Sequence, residues 1–128
     1  MTNTHINVGG HKITTNKVGQ VHNLTPASGI TVPTNGFIKY CVINGMCTIS
    51  VWNVTASTTG FVPLSNDAVP PCKLNSCLNV LYNDSGSGSI VGDMYVYANE
   101  NTVYVDIKNT IKFYGSLTYP VADDWVES

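Results

Sequence analysis

The pair Asn44-Gly45 is the sequence feature that most constrains the fold, because it lies between two runs of alternating apolar residues. Both central positions of a type I′ turn need a positive φ angle, which asparagine and glycine tolerate well. The twist of that turn matches the twist of paired strands, so residues 36–54 are predicted to form a β-hairpin. The turn also fixes the register of the two strands, beginning with Ile43 opposite Met46.

This register sorts the hairpin side chains onto two faces. One face is apolar and is predicted to enter the core; it carries Ile38, Tyr40, Val42, Cys47, Ile49 and Val51. The other face is mixed; it carries Phe37, Lys39, Cys41, Thr48, Ser50 and Trp52. We expect the mixed face to meet a neighbouring subunit or solvent rather than a substrate.

Composition favours one all-β domain. Only 11% of the 128 residues are charged, whereas about a quarter is usual in globular proteins. Solubility must then come from Asn, Thr, Ser and Gly, which suit strands and turns better than helices. The net charge is -2, arginine is absent and the six lysines are scattered. Nucleic-acid binding is therefore excluded, since phosphate contacts need clustered cations.

The sequence lacks the motifs of secreted, membrane-spanning, metal-binding and catalytic proteins. The first residues lack the cationic and apolar regions of a secretion signal, and no apolar run is long enough to cross a bilayer. We expect a soluble chain without a secretion signal. The three histidines stand in no metal-binding spacing, and neither a nucleophile elbow nor a phosphate-binding loop occurs. No catalytic residue and no cofactor is predicted.

The four cysteines allow two disulfides. In the predicted register Cys41 and Cys47 point to opposite faces of the hairpin, so they cannot bond to each other. Cys72 and Cys77 could close a small loop or supply half of a metal site. We favour free thiols for all four, since free cysteine behaves as a small apolar side chain in a reducing cytosol.

A second hairpin is predicted at residues 90–107, with its turn at 98–101. Apolar and polar residues alternate along both predicted strands, so the two faces can be told apart. The predicted core face carries Gly92, Met94, Val96, Ala98, Val103, Val105 and Ile107. The opposite face carries Asp93, Tyr95, Tyr97, Thr102, Tyr104 and Asp106.

Turn signals recur about every ten residues and predict roughly eight short strands. This pattern is typical of a two-sheet antiparallel sandwich, in particular a jelly roll. We expect a polar lead-in at residues 1–20 with one short strand near 12–15, the sandwich at 21–121, and an acidic tail at 122–128.

The stripe of Tyr95, Tyr97 and Tyr104 is the most prominent candidate interaction surface. Tyrosine buries a large area while its hydroxyl finds a partner, which suits a subunit interface, and its ring can also stack on a sugar. We favour an oligomer interface; packing in the second layer of the sandwich and ligand contact are the alternatives.

Asp93 and Asp106 are predicted to lie opposite each other. Two carboxylates across a ladder repel, so they could mark a Ca²⁺ site or a carboxyl group of raised pKa. We favour the simpler interpretation, in which they are solvated at a sheet margin or neutralised by Lys39, Lys108 or Lys112.

No ligand-binding residue is identified from the sequence. The polar loops at residues 55–60, 65–77 and 83–89, together with the turn at 98–101, are where binding to hydroxyl-rich ligands is expected on a rigid β scaffold.

Three stretches resemble a known class of module. They are Asn-Gly-Phe-Ile-Lys-Tyr at residues 35–40, which leads into the first hairpin, Ile-Val-Gly-Asp-Met-Tyr-Val-Tyr at 90–97, and Tyr-Gly-Ser-Leu-Thr-Tyr-Pro-Val at 114–121. Together these stretches resemble the C-terminal head modules of bacteriophage and prophage tail-fibre and receptor-binding proteins. Such modules are similar to the tumour-necrosis-factor and C1q jelly rolls. The resemblance covers roughly residues 35–121 and transfers no binding residue.

The resemblance implies a homotrimer at the tip of a tail fibre. It implies a non-enzymatic function, attachment of the virion to a host-surface saccharide, with upstream fibre or baseplate proteins as further partners. The polar start lacks a heptad-bearing shaft, which suggests an excised domain or a stand-alone tip protein. A structural tail or baseplate protein that binds other virion proteins is one alternative. A lectin or a glycan-acting enzyme is the other.

Overall fold

A computed structural model describes residues 5–8, 11–14, 19–84 and 88–126, the first two ranges by their backbone alone. These residues contain no helix, hence none that could cross a membrane. Their eleven strands are β1 (His5–Val8), β2 (His11–Thr14), β3 (Val21–Asn23), β4 (Ile30–Thr31), β5 (Phe37–Ile43), β6 (Met46–Ala56), β7 (Gly60–Pro63), β8 (Ser76–Tyr82), β9 (Ile90–Tyr97), β10 (Val103–Ile107) and β11 (Phe113–Pro120). The predicted all-β class is confirmed.

The first predicted hairpin is formed by β5 and β6. Asn44 and Gly45 have φ angles of 53° and 75°, as a type I′ turn requires. The register is confirmed along the whole hairpin, from Ile43 opposite Met46 to Phe37 opposite Trp52. The predicted core face is buried except for Tyr40, which is half-buried.

The second predicted hairpin is formed by β9 and β10. Asp93 lies opposite Asp106, and Tyr95 lies opposite Tyr104, as the parity of the sequence predicts. The inward residues Met94, Val96, Val103, Val105 and Ile107 are buried. Alternation of apolar and polar residues therefore located the core side of this hairpin correctly.

Nine strands form one antiparallel sheet. Eight of them follow the order β3-β5-β6-β11-β8-β9-β10-β7, and β4 pairs with β6 outside this path. Strand β11 is the link between two layers. It pairs with β6 from Pro120 opposite Met46 to Phe113 opposite Val54, and with β8 where Tyr114 lies opposite Tyr82. One layer contains β3, β5, β6 and β11, and the other contains β8, β9, β10 and β7.

The two ends of this path also meet. Beyond β3 and β7, Pro26 and Ser65 form an antiparallel bridge. The Ala27 amide donates to the Leu64 carbonyl at 3.1 Å, and the Asn66 amide donates to the Thr25 carbonyl at 2.9 Å. Backbone hydrogen bonds thus connect the layers at both edges.

Both layers contribute to a single core. Its largest fully buried side chains are Tyr119, Phe113, Ile49, Leu64, Leu81, Met94 and Ile107, which come from β6, β8, β9, β10, β11 and the residue after β7. The predicted antiparallel sandwich is therefore confirmed.

Tyr119 is a polar side chain in this core. Its hydroxyl donates to the backbone carbonyl of Pro70 at 2.7 Å. Burial, and to a lesser extent the neighbouring Cys47, raises the pKa of Tyr119, so the phenol stays neutral and keeps its proton for this bond. The bond attaches the long connection between β7 and β8 to the centre of the sandwich.

The cysteine prediction needs a correction. Cys72 and Cys77 form a disulfide, so the expectation that all four cysteines are free thiols is wrong for this pair. The alternative of a small closed loop is the one observed. Cys41 and Cys47 lie on opposite faces of their hairpin, as predicted, and are not disulfide-bonded.

The start of the chain differs from the prediction of one short strand. Strands β1 and β2 form an antiparallel pair outside the nine-stranded sheet, with His5 opposite Thr14 and Val8 opposite His11. The sequence indicated only the second of them. Residues 85–87, within the predicted turn at 83–89, lie outside the described residues.

Replacement of Gly115 by alanine is expected to destabilise the sandwich. A Cβ atom at this position would lie 2.7 Å from Cδ2 of Leu81 and 3.2 Å from the carbonyl oxygen of Val80. Overpacking of this kind costs about 1–3 kcal/mol. The free energy of unfolding, measured by urea denaturation, should fall by that amount. The exposed neighbour variant Ser116→Ala should stay within about 0.5 kcal/mol of wild type; equal stability of the two variants would contradict the close contact.

Replacement of Tyr119 by phenylalanine is expected to leave the Pro70 carbonyl buried without its hydrogen-bond donor. Such a loss costs about 1–3 kcal/mol. Urea denaturation at a fixed protein concentration measures it, with the half-buried Tyr82→Phe as control, expected within about 0.5 kcal/mol of wild type. A Tyr119→Phe protein as stable as wild type would show that the bond contributes nothing to folding.

Candidate functional site

The predicted tyrosine stripe is present on the outer face of the β8-β9-β10-β7 layer, and it contains a fourth ring. Phe61 of β7 stacks on Tyr104 with ring centroids 4.9 Å apart and meets Tyr95 edge-on at 5.7 Å. Tyr95 and Tyr97 stack at 6.1 Å. We call Phe61, Tyr95, Tyr97 and Tyr104 the tyrosine face. Phe61 is 50% exposed, so this face is open in the single chain.

Phe61 was not predicted as part of this face, because its neighbours there come from distant parts of the chain. The Gly60–Pro63 strand pairs with β10, which places Phe61 opposite Asp106. A strand of four residues carries too little alternation to show which face a side chain takes. Only the long-range pairing of β7 with β10 brings the ring to the tyrosines.

Two hydroxyl groups of the tyrosine face already have acceptors. Tyr104 donates to Oε1 of Glu100 at 2.9 Å, and Tyr95 is 3.4 Å from Oδ2 of Asp93. Burial, followed by the charges of Asp93 and Asp106, raises the pKa of Tyr95. The hydrogen bond to Glu100 raises the pKa of Tyr104. Both phenols are therefore neutral donors at physiological pH.

The structure brings Asp93 and Asp106 together as predicted, directly across the ladder. Lys108, one of the three lysines considered, bonds Asp106 with its Nζ 2.9 Å from Oδ2. The bond to Asp106 raises the pKa of Lys108, which keeps the ammonium charged beside the acidic pair. Within the described part of the chain, no group of three or more His, Cys, Asp or Glu side chains is placed to hold a metal ion.

A second aromatic cluster lies on the outer face of the other layer. Trp52 stacks parallel to Phe37 with centroids 6.2 Å apart and meets Tyr114 edge-on at 4.8 Å. The three rings line a depression of about 250 Å³. Ser50 of β6 and Ser116 of β11 also line it. We call this depression the aromatic groove. The mixed hairpin face identified in the sequence supplies two of its rings, and β11 supplies the third.

A β-bulge shapes the aromatic groove. Val54 lies opposite Phe113 and Val51 lies opposite Gly115, so two residues of β6 face the single residue Tyr114. The second of them, Asn53, has a positive φ of 53°. Bulges of this kind bend a strand and redirect side chains, often next to binding sites.

Hydrogen bonds hold the bulge in place. The side-chain Nδ2 of Asn53 donates to Oδ1 of Asn35 at 2.8 Å, and the Tyr114 hydroxyl donates to Oδ1 of Asn53 at 3.4 Å. Gly36 passes close beneath, where a Cβ would lie 2.7 Å from the Trp52 carbonyl oxygen. The rings of the groove are thus supported by a defined backbone arrangement.

Two lysines flank the aromatic groove. The Nζ of Lys39 lies 4.0 Å from the centroid of the Phe37 ring, and the Nζ of Lys112 lies 5.7 Å from that of Tyr114. Both distances are within the range of cation–π attraction. Beyond Ser50, a smaller depression of about 110 Å³ continues along the same face toward Val21 and Cys41.

A larger depression of about 390 Å³ lies at the turn of the first hairpin, between Asn44, Asp123 and Trp125. The segment after β11 lines one side of this depression. The Val121 backbone amide donates to the Gly45 carbonyl at 2.9 Å and joins this segment to the hairpin turn. Asp123 also pairs with Lys73 at 2.9 Å, with both side chains more than half exposed.

The loops expected to bind ligand are only partly brought together. The connection at residues 65–77 meets the turn at 98–101, since the Val69 amide donates to the Asn101 carbonyl at 2.8 Å and the Ala98 amide to the Asn75 carbonyl at 3.1 Å. Of the loop at 83–89, three residues lie outside the described part of the chain. The defined ring clusters lie on strand faces instead.

Comparison with known proteins identifies the fold. No protein-family model matches the sequence, and no curated protein matches it. Among solved structures, the chain is similar to the crystal structure of the head domain of lactococcal phage bIL170, in the group of receptor-binding domains of lactococcal phages, with 14% identity and a TM-score of 0.50. The similarity covers 80% of this chain and 98% of the phage domain. The resemblance inferred from the sequence is thus confirmed at the level of the fold: this chain has the fold of the bIL170 head domain.

Proposed function

We propose that this protein is the receptor-binding head of a phage or prophage tail protein and attaches the virion to a saccharide on the host surface. The observation that carries this proposal is the fold, since the chain accounts for nearly the whole of the bIL170 head domain. The low charge and the abundance of Asn, Thr and Ser on this scaffold support it, because short polar side chains suit hydrogen bonding to hydroxyl-rich ligands.

The proposed attachment is non-enzymatic. Most glycoside hydrolases need two carboxyl groups on either side of the bond to be cleaved. The acidic pair predicted from the sequence, Asp93 and Asp106, lies instead side by side across an open sheet face, where Lys108 is bonded to Asp106. This arrangement favours a structural ion pair over general acid catalysis.

The proposed assembly is a homotrimer in which the tyrosine face is buried between subunits. Four mutually packed rings with Phe61 half exposed form the kind of surface that is enriched at subunit interfaces. Leu78, opposite Tyr95 in the register, adds an exposed apolar side chain to the same face. The remaining partners are upstream fibre or baseplate proteins at the virion tail.

Binding to an array of bacterial capsular and cell-wall polysaccharides tests the proposed function. The labelled protein should bind a subset of these polysaccharides and leave their chain length unchanged in mass spectra after incubation. Shortened chains would show an enzyme. An intact oligomer that binds no polysaccharide would overturn the attachment function and favour a structural component of the tail.

Charge insertion into each outer face tests the assembly. Light scattering should give three times the mass of one chain for wild type. Tyr97→Lys places a charge in the tyrosine face and should yield a monomer, because an unpaired buried charge is costly at an interface. The matched variant Ser116→Lys, on the outer face of the other layer, should remain trimeric. The reverse result would assign the interface to the aromatic groove, and a monomeric wild type would refute the trimer.

A further inference from the structure

We propose that the aromatic groove formed by Phe37, Trp52 and Tyr114 is the saccharide-binding site and takes one pyranose ring against Trp52. This assignment rests on the proposed attachment function and adds the place at which the ligand binds. It differs from the expectation that the mixed hairpin face meets a subunit or solvent and that ligands bind at the loops.

The chemistry of the groove matches a sugar ring. One face of a pyranose presents C–H groups of slightly positive character, while the face of an aromatic ring is negative. Trp52 is 42% exposed and is held between Phe37 and Tyr114, so it offers a large ring that is both accessible and fixed. The depression of about 250 Å³ is smaller than the roughly 300–1,000 Å³ of pockets for drug-sized ligands, which suits a single ring.

Polar groups surround the rings where sugar hydroxyls need partners. Ser50 and Ser116 line the depression, and each hydroxyl can donate and accept. The ammonium groups of Lys39 and Lys112 lie over the Phe37 and Tyr114 rings and can donate. A few polar groups around an apolar surface are the usual composition of small-ligand sites.

The groove is formed before any ligand arrives. Tyr114, Asn53 and Asn35 are joined by hydrogen bonds of 3.4 and 2.8 Å, and the bulge they support belongs to two paired strands. A site whose side chains are already held in place loses less conformational freedom on binding. The smaller depression beyond Ser50 continues along the sheet, so a second sugar unit can follow the first.

The two other surfaces fit a saccharide less well. On the tyrosine face, the hydroxyls of Tyr95 and Tyr104 already donate to acidic side chains. The larger depression at the hairpin turn has one aromatic side chain, Trp125, on the segment after the last strand. Its neighbour Asp123 is held by an exposed ion pair, which contributes little rigidity.

The two tryptophans of the chain, Trp52 and Trp125, provide a direct test, since each lies in one of the two competing depressions. Each gives one indole N–H signal in a nitrogen-15 spectrum of the whole protein, assigned with Trp125→Phe. Titration with rhamnose, galactose, glucose and N-acetylglucosamine, and with any polysaccharide bound on the array, should shift the Trp52 signal and leave that of Trp125 unchanged. A shift of Trp125 alone, or an unmoved Trp52 signal in a protein saturated with polysaccharide, would overturn the assignment.

Affinity measurements on matched variants separate this inference from the proposed function. Trp52→Ala should weaken polysaccharide binding by about tenfold or more, whereas Trp125→Ala should change it less than about twofold. If Trp52→Ala binds as wild type does, the groove assignment fails and the attachment function stands. If wild type binds no polysaccharide, the attachment function fails and the groove assignment fails with it.

Discussion

Pairing of β11 with two different neighbours is the interaction on which the rest of this structure depends. The strand follows β6 for most of its length and reaches β8 at Tyr114, so one strand joins the two layers. Gly115 leaves room for this arrangement, because a Cβ there would lie 2.7 Å from Cδ2 of Leu81. The bulge opposite Tyr114 lies at the same place. The feature that joins the sandwich therefore also shapes the aromatic groove on its outer surface.

Local structure was predictable from the sequence to the extent that it depends on local chemistry. Asn44-Gly45 determined both the turn and the register of the first hairpin, and strict alternation did the same for the second. These signals need only the geometry of neighbouring residues. The tyrosine stripe and the Asp93–Asp106 pair followed from them.

Long-range pairing was beyond such signals. Phe61 joins the tyrosines through β7 and β10, and Tyr114 meets Trp52 through β6 and β11. The sequence of one strand does not determine which strand it pairs with, since many partners have the same alternation of apolar and polar residues. The Asn53 bulge has the same origin, because it exists only in relation to the opposite strand. The Cys72–Cys77 disulfide was open as an alternative, but spacing alone could not choose it over thiols.

The bridge between Pro26 and Ser65 has a consequence for contacts between molecules. Unpaired strand edges offer backbone donors and acceptors to any other exposed strand, which is a common route to aggregation. Here the segments that follow β3 and β7 use such groups on each other, and the Thr25 backbone amide donates to Oδ2 of Asp67 at 2.6 Å. The backbone groups that join these two segments are therefore not available to a strand of another molecule.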